Sequence, residues 1–264
     1  MTSPGAAESL PRTIPRQKLL TAFAWGVHLY TALGAALGLI AIFSAAHGDW
    51  RASFLAMGIA TIIDSSDGPL ARMLMVKIRV PSFDGALLDN IVDYLTYTVA
   101  PVFLMLEAGI IPNSRWGLAL ACLVMLASIY GFCQTRAKTD DHFFLGFPNY
   151  WNLVAFYLFC LGYGATFNVV VLLIFGVMVF VPLKYIYPNR TVQLRALTLT
   201  LGVIWGVVTI AMLLMLPAVN RVMLWVALSF IAYYFIASFV LHIRAALIER
   251  RNSHTDPAAS DLNA

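Results

Sequence analysis

The chain alternates long apolar stretches with short polar connections, and this pattern constrains its fold more than any other feature. A helix needs about 20 mostly apolar residues to cross a bilayer. Eight stretches approach or exceed that length, at 19–46, 52–71, 85–108, 116–135, 150–164, 166–187, 197–216 and 222–246. Apolar residues make up 61% of the sequence and charged residues 11%, against about 45–50% and about 25% in soluble domains. We therefore predict an all-α integral membrane protein with about eight transmembrane helices, forming a single membrane domain over 1–264.

The lysine and arginine residues are distributed unequally between the two sides of such a layout. Of the 17 in the chain, only Arg51, Arg115 and Arg221 fall in the connections of one side. Positive residues accumulate on the cytoplasmic side of membrane proteins, so the richer side, which includes both termini, is predicted to be cytoplasmic. Residues 1–18 then form a basic cytoplasmic segment, and the polar residues 252–264 are predicted to be a disordered tail. The net charge of +4 follows from this bias and requires no nucleic-acid partner.

Four aspartates stand at helical spacing in the second and third apolar stretches, where acidic side chains are costly. Asp64 and Asp67 are three residues apart, and Asp89 and Asp93 are four apart, so each pair lies on one face of its helix. Carboxylates that face one another repel unless a cation lies between them. Hard divalent cations take oxygen ligands, and two such ions can hold a diphosphate. The spacing therefore predicts a metal site formed by two neighbouring helices.

Small and basic residues accompany these aspartates. Gly68 follows Asp67 directly and Gly85 lies one turn before Asp89, and glycine lets a bulky ligand approach the backbone. Arg72 supplies positive charge suited to phosphate oxygens. Two alternatives stay open: the acids form the ion path of a transporter, or Arg72 simply pairs with an aspartate. The sequence shows neither an inverted repeat nor a second acid cluster, which disfavours the transporter.

The same residues resemble the signature of the CDP-alcohol phosphotransferases. All eight signature positions are occupied, as Asp64-x-x-Asp67-Gly68-x-x-Ala71-Arg72 and Gly85-x-x-x-Asp89-x-x-x-Asp93. The resemblance implies that the four aspartates hold Mn²⁺ or Mg²⁺ and that Asp93 is also the catalytic base. It further implies that CDP-diacylglycerol is bound by Gly68, Ala71, Arg72 and Gly85.

The two halves of the signature are further apart than is usual in this family. Eight residues commonly separate the arginine from the second glycine, whereas residues 73–84 form a gap of twelve here. Such a gap resembles the variant found in bacterial phosphatidylcholine synthases, as do "WGVHLYTALGA" and "FFLGFPNYWN". This resemblance implies transfer of the phosphatidyl group of CDP-diacylglycerol to choline with release of CMP. It also implies a bacterial inner-membrane protein whose site faces the cytoplasm and which forms homodimers as family members do, with a different acceptor such as serine as the alternative.

Aromatic residues near the aspartates are candidates for an acceptor pocket, because aromatic faces bind quaternary ammonium groups such as choline. The predicted choline-binding residues are Tyr94, Tyr97, Tyr150 and Trp151. Trp25 and Tyr30 are further candidates, although aromatic residues also gather at membrane interfaces for other reasons. His28 is predicted to be packed and hydrogen-bonded, and Asp84 is predicted to cap the third membrane helix.

Overall fold

The computed structural model describes residues 14–134, 143–181, 184–186 and 195–255. Most of these residues are helical, and a π-helical segment divides the third apolar stretch into two α-helices. The elements are α1 Ile14–Ala46, α2 Trp50–Met73, α3 Val76–Arg79, α4 Gly85–Asp93, the π-helical segment Tyr94–Val99, α5 Ala100–Glu107, α6 Arg115–Cys133, β1 Phe143–Leu145, α7 Trp151–Leu161, α8 Ala165–Met178, β2 Lys184–Ile186, α9 Arg195–Met215 and α10 Arg221–Thr255. Each of the eight predicted stretches therefore contains helix.

Four helices in the described ranges are long and apolar enough to cross a membrane: Gln17–Ala46, Arg115–Cys133, Ala196–Met215 and Arg221–Val240. Apolar helices α7 and α8 are shorter; eleven residues extend about 17 Å, less than the ~30 Å hydrocarbon core. Large apolar side chains are exposed along the long helices, for example Leu29, Leu39 and Phe43 on α1. Such exposure suits a lipid solvent, and the prediction of a helical membrane protein is confirmed at this level.

The structure differs from the sequence prediction in two details. The sixth stretch was expected to be helical over 166–187, but α8 ends at Met178, and the three-residue strand β2 pairs antiparallel with β1 in an otherwise helical chain. Apolar composition does not separate helix from strand here, and Pro182 disfavours a helical residue before it. The tail predicted as disordered from 252 is helical to Thr255, the end of α10. Residues 1–13 and 256–264 lie outside the described residues.

Side-chain caps fix where the functional helices begin. α2 starts after Asp49, whose carboxylate accepts a hydrogen bond from the Ala52 amide at 2.9 Å. α4 starts after Asp84, whose Oδ1 accepts from the Ala86 and Leu87 amides, each at 3.0 Å. The predicted capping role of Asp84 is confirmed, and it fixes the start of the helix that carries Asp89 and Asp93.

Two glycines bring α1 close to α4 and to the π-helical segment. A Cβ added at Gly34 would lie 2.5 Å from Val92 Cγ1, and one at Gly38 would lie 2.7 Å from Leu95 Cγ. Neither position has room for a larger residue without movement of its neighbour. This close approach holds the helix bearing Asp93 against α1, which in turn packs along α2.

The twelve-residue gap contains an extra helical turn. α2 ends at Met73, Met75 takes a left-handed conformation with φ 48°, and α3 follows. Val76 and Val80 are buried in a small apolar cluster that includes Ala24 and Val27 of α1. The connection is therefore a packed structure, lying over α1, between the two halves of the signature.

Candidate active site

Three carboxylates from two helices converge at the centre of the site. Asp64 of α2 and Asp89 and Asp93 of α4 each offer an oxygen, and these oxygens all lie within 4.8 Å of one another. All three residues are half-buried. The four-residue spacing of Asp89 and Asp93 puts both on one face of α4, and their carboxylates converge there with that of Asp64 from α2. Three converging carboxylate oxygens are suited to a hard divalent cation.

Asp67 occupies a different environment from the other three aspartates. It is buried, and its Oδ2 accepts a hydrogen bond of 2.7 Å from the Thr31 hydroxyl of α1. It is not part of the group whose ligand oxygens lie within 4.8 Å of one another. The four predicted aspartates therefore fall into two sets: three whose carboxylates converge, and Asp67, which is hydrogen-bonded to α1.

Asp64 is also held by a residue from another helix. The Tyr97 hydroxyl donates a 2.8 Å hydrogen bond to Asp64 Oδ2, and Tyr97 is buried. Tyr97 lies in the π-helical segment that starts directly after Asp93. π-helical turns are rare and frequently occur at functional sites. Here the segment places a phenol against the carboxylate group that α4 helps to form.

Further polar contacts run along α2 beside these carboxylates. Asn152 Nδ2 of α7 donates to Thr61 Oγ1 at 3.0 Å, and the hydroxyls of Tyr30 and Ser66 are 2.9 Å apart. Together with the Thr31 and Tyr97 contacts, these bonds join α2 to α1, to the π-helical segment and to α7. A polar side chain inside a membrane protein is costly unless it is paired, so these pairs fix the position of α2.

Gly85 packs against an aromatic group on α1. A Cβ at Gly85 would lie 2.8 Å from His28 Cε1. The His28 ring centroid is 4.5 Å from that of Phe83 and 5.7 Å from that of Trp25. His28 is packed, as predicted, and its buried Nε2 has no hydrogen-bond partner among the described residues, so the predicted hydrogen bond is not found at that atom. Any side chain at position 85 would therefore require the His28 ring to move.

The other signature residues lie near the cytoplasmic end predicted for α2. Arg72 is exposed, and a Cβ at Gly68 would come within 3.4 Å of its Nη1. Ala71 is half-buried and packs against the small cluster of α1 and α3. The arrangement leaves an open backbone at Gly68 beside a guanidinium group that phosphate oxygens can reach.

The four aromatic residues proposed for an acceptor pocket lie in different environments. The ring centroids of Tyr97 and Tyr150 are 5.9 Å apart, and Tyr150 is 39% exposed. Trp151 has no exposed surface, and its Nε1 donates to Ser128 Oγ at 2.7 Å, so it is a core residue in this structure. The Tyr94 hydroxyl is 3.5 Å from the Met125 carbonyl oxygen. Of the four, Tyr97 and Tyr150 are brought together, and Tyr97 contacts Asp64.

Comparison with known proteins places this site in a family, although no protein-family model matches the chain. The chain is 38% identical over 225 residues to the phosphatidylcholine synthase of Legionella pneumophila, covering 82% of this chain and 87% of that protein. It is 38% identical over 209 residues to that of Mesorhizobium japonicum, covering 78% of each. It is 34% identical over 227 residues to that of Rhizobium johnstonii, covering 85% and 92%.

The chain belongs to the phosphatidylcholine synthase family. Membership of the phosphatidylcholine synthases confirms the family prediction that the twelve-residue gap supported. Several contacts of this site nevertheless carry no signal in the sequence: Thr31 with Asp67, Tyr97 with Asp64, and Asn152 with Thr61. Each joins residues more than thirty positions apart, and a lone Thr or Asn in an apolar stretch does not indicate its partner. The placement of these residues on facing helices is what the structure adds.

Proposed function

We propose that the chain is a phosphatidylcholine synthase, which transfers the phosphatidyl group of CDP-diacylglycerol to choline and releases CMP. The observation that carries this conclusion is the convergence of Asp64, Asp89 and Asp93 in a member of the phosphatidylcholine synthases. The complete signature of the CDP-alcohol phosphotransferases, to which we assign the chain, supports the same reaction class.

The carboxylates are proposed to hold Mn²⁺ or Mg²⁺. Asp64, Asp89 and Asp93 supply the converging oxygens, and Asp67, bonded to Thr31, completes the set that the signature implies. Carboxylate oxygens are the ligands that these hard cations prefer. When bound, such an ion neutralises charge on a diphosphate and on its leaving oxygen. The aspartates thus set the position at which the diphosphate of the lipid substrate lies.

Asp93 is proposed to take the proton of the choline hydroxyl. The hydroxyl oxygen forms a bond to the lipid-bearing phosphorus, the bond from that phosphorus to the CMP oxygen breaks, and the hydroxyl proton moves to the Asp93 carboxylate. Asp93 ends α4, borders the π-helical segment and lies within the carboxylate group. A general base must come within hydrogen-bond reach of its proton, and a position at the edge of the diphosphate site meets that need.

The nucleotide part of CDP-diacylglycerol is proposed to contact Gly68, Ala71, Arg72 and Gly85. The open backbone at Gly68 and the exposed Arg72 guanidinium support a phosphate contact there. Gly85 lies one turn before Asp89, beside the ring of His28. An anionic acceptor would need a basic pocket of its own. Near the aspartates the sequence offers no basic residues beyond Arg72, Lys77 and Arg79, so a neutral or cationic acceptor is favoured.

For choline, we propose a pocket at Tyr97 and Tyr150; Tyr94 and Trp151 stay candidates from the sequence, although Trp151 has no exposed surface in this structure. The adjacent rings of Tyr97 and Tyr150, together with the partial exposure of Tyr150, support this position. A quaternary ammonium is attracted to aromatic faces by about 0.5–2 kcal/mol for each ring. Choline held there would present its hydroxyl towards the carboxylate group that contains both Asp64 and Asp93.

The membrane arrangement that we propose has eight spans in one membrane domain, with both termini in the cytoplasm. Four spans rest on helices of sufficient length; the other four would be formed at α2, at the α4–α5 segment and at the shorter helices α7 and α8, each of which crosses only part of the hydrocarbon core by itself. The distribution of Lys and Arg supports a cytoplasmic active site, in the inner membrane of a bacterium. A homodimer is proposed from the resemblance alone.

The acceptor is tested with the purified chain in detergent, supplied with CDP-diacylglycerol, Mn²⁺ and one labelled acceptor at a time. We expect labelled phosphatidylcholine from choline and none of the corresponding product from serine or inositol phosphate. Product from serine but not from choline would replace the proposal with another transferase of the same class. Cation flux in liposomes without CMP release would instead support a transporter.

A further inference from the structure

The hydrogen bond between Tyr97 and Asp64 assigns a role to the tyrosine hydroxyl that is separate from the role of its ring. The bond is 2.8 Å long and its donor is only 5% exposed. We propose that Tyr97 is a positioning residue, whose hydroxyl holds the Asp64 carboxylate in the orientation that binds the metal ion. This inference rests on the proposed metal site and names a residue that controls it.

The bond joins the two helices that form the carboxylate group. Asp64 is the member of the group from α2, whereas Asp89 and Asp93 come from α4. Tyr97 follows α4 in the π-helical segment. Asp64 is therefore fixed relative to Asp93 by a contact from the same continuous helix that carries Asp93.

The π-helical segment explains why Tyr97 reaches the carboxylates. In an α-helix every fourth residue advances about 40° beyond a full turn, so Asp89, Asp93 and Tyr97 would drift around the axis. The i→i+5 bonds of a π-helix widen the turn and remove part of this drift after Asp93. Tyr97 then stays on the side of the helix that faces α2.

A carboxylate that binds a metal gains from a second hydrogen-bonded partner. An ionised aspartate has two oxygens that accept about four bonds, and the Tyr97 hydroxyl occupies one site on Oδ2. The carboxyl plane is then defined before an ion arrives, and its remaining lone pairs face the group. Loss of such an outer partner typically weakens metal affinity by about 10–100-fold.

The substitution Tyr97→Phe separates the two roles, because phenylalanine keeps an aromatic face and removes only the hydroxyl. The matched control is Tyr157→Phe: Tyr157 is equally buried, and its hydroxyl lies 2.8 Å from Thr209 Oγ1 between α7 and α9, outside the carboxylate group. Both variants lose one buried hydroxyl contact, so a general loss of packing affects them alike.

Mn²⁺ binding is measured by electron paramagnetic resonance, titrating the purified protein in detergent without substrate. We expect Tyr97→Phe to raise the Kd for Mn²⁺ by about 10–100-fold, and Tyr157→Phe to leave it within about twofold, within the usual scatter of a distant site. In an Asp64→Asn background the same Tyr97→Phe change should add no further loss, because the hydroxyl acts through Asp64.

Two results would overturn the assignment. Unchanged Mn²⁺ affinity in Tyr97→Phe refutes the positioning role, and so does a loss that is simply additive with that of Asp64→Asn. If the proposed metal site itself is wrong, the result is a different one: the unaltered chain binds no Mn²⁺ at all. The acceptor does not enter the titration, so use of serine in place of choline leaves the result standing.

Discussion

Removal of the Thr31 hydroxyl tests how far the buried Asp67 depends on α1. Asp67 is 6% exposed and accepts a 2.7 Å hydrogen bond from Thr31. Thr31→Val preserves the shape of the side chain and leaves the carboxylate without this donor. A hydrogen bond to a charged group contributes about 1.5–3 kcal/mol, and 1.36 kcal/mol corresponds to a factor of ten. We therefore expect kcat/KM for CMP release to fall by about 10–150-fold, the full range that these energies give.

The matched control is Ser53→Ala on the same helix pair. Ser53 is completely buried and donates a 2.8 Å hydrogen bond to the Ala41 carbonyl, far from the carboxylates. Its loss should reduce the free energy of unfolding by about 1 kcal/mol and leave the rate of CMP release intact. Both variants are assayed for initial rates with CDP-diacylglycerol and choline, and for thermal unfolding in detergent. Activity of Thr31→Val within about twofold of the unaltered chain would refute the reasoning, because the bond would then be worth less than about 0.5 kcal/mol.

Three further substitutions address the signature residues. Asp93→Asn keeps the size of the side chain and removes the charge, so turnover should fall below detection while thermal unfolding stays cooperative; near-normal turnover would refute its role as base. Arg72→Ala should raise the KM for CDP-diacylglycerol by about tenfold, which corresponds to the loss of one charged hydrogen bond, with little change in the KM for choline. Unchanged kinetics would mean that Arg72 contributes only to the orientation of the chain in the membrane. Gly85→Ala should abolish activity because the added methyl group meets the His28 ring. Adding His28→Ala to that variant should restore part of the activity. If the double variant is as inactive as Gly85→Ala, this contact is not the cause of the loss.

The sequence predicts the chemistry of this protein better than it predicts the contacts that position the chemistry. Residues at three- and four-residue spacing on one helix share a face whatever their surroundings, so both aspartate pairs could be predicted from their spacing, although the spacing does not show that Asp67 lies outside the converging group. The capping role of Asp84 was also predictable, since its carboxylate needs only the two amides that follow it.

Contacts between helices could not be predicted in the same way. Thr31 and Tyr97 each bond to an aspartate more than thirty residues away, and nothing local distinguishes them from other polar residues in apolar stretches. The π-helical segment in the third stretch could not be predicted from the sequence either, because the helix continues through it without a break. The full burial of Trp151 in the core is a further feature that its aromatic character does not indicate in the sequence.

The central claim is that the converging carboxylates of this chain use a divalent cation to transfer a phosphatidyl group to choline. It is tested most directly by titrating Mn²⁺ into the purified chain with CDP-diacylglycerol and labelled choline, and measuring CMP and labelled phosphatidylcholine together. We predict that both products appear in equal amounts, that neither forms in EDTA, and that Asp64→Asn, Asp89→Asn and Asp93→Asn each suppress both. Phosphatidylcholine formation in EDTA, or CMP release without phosphatidylcholine, would contradict the claim.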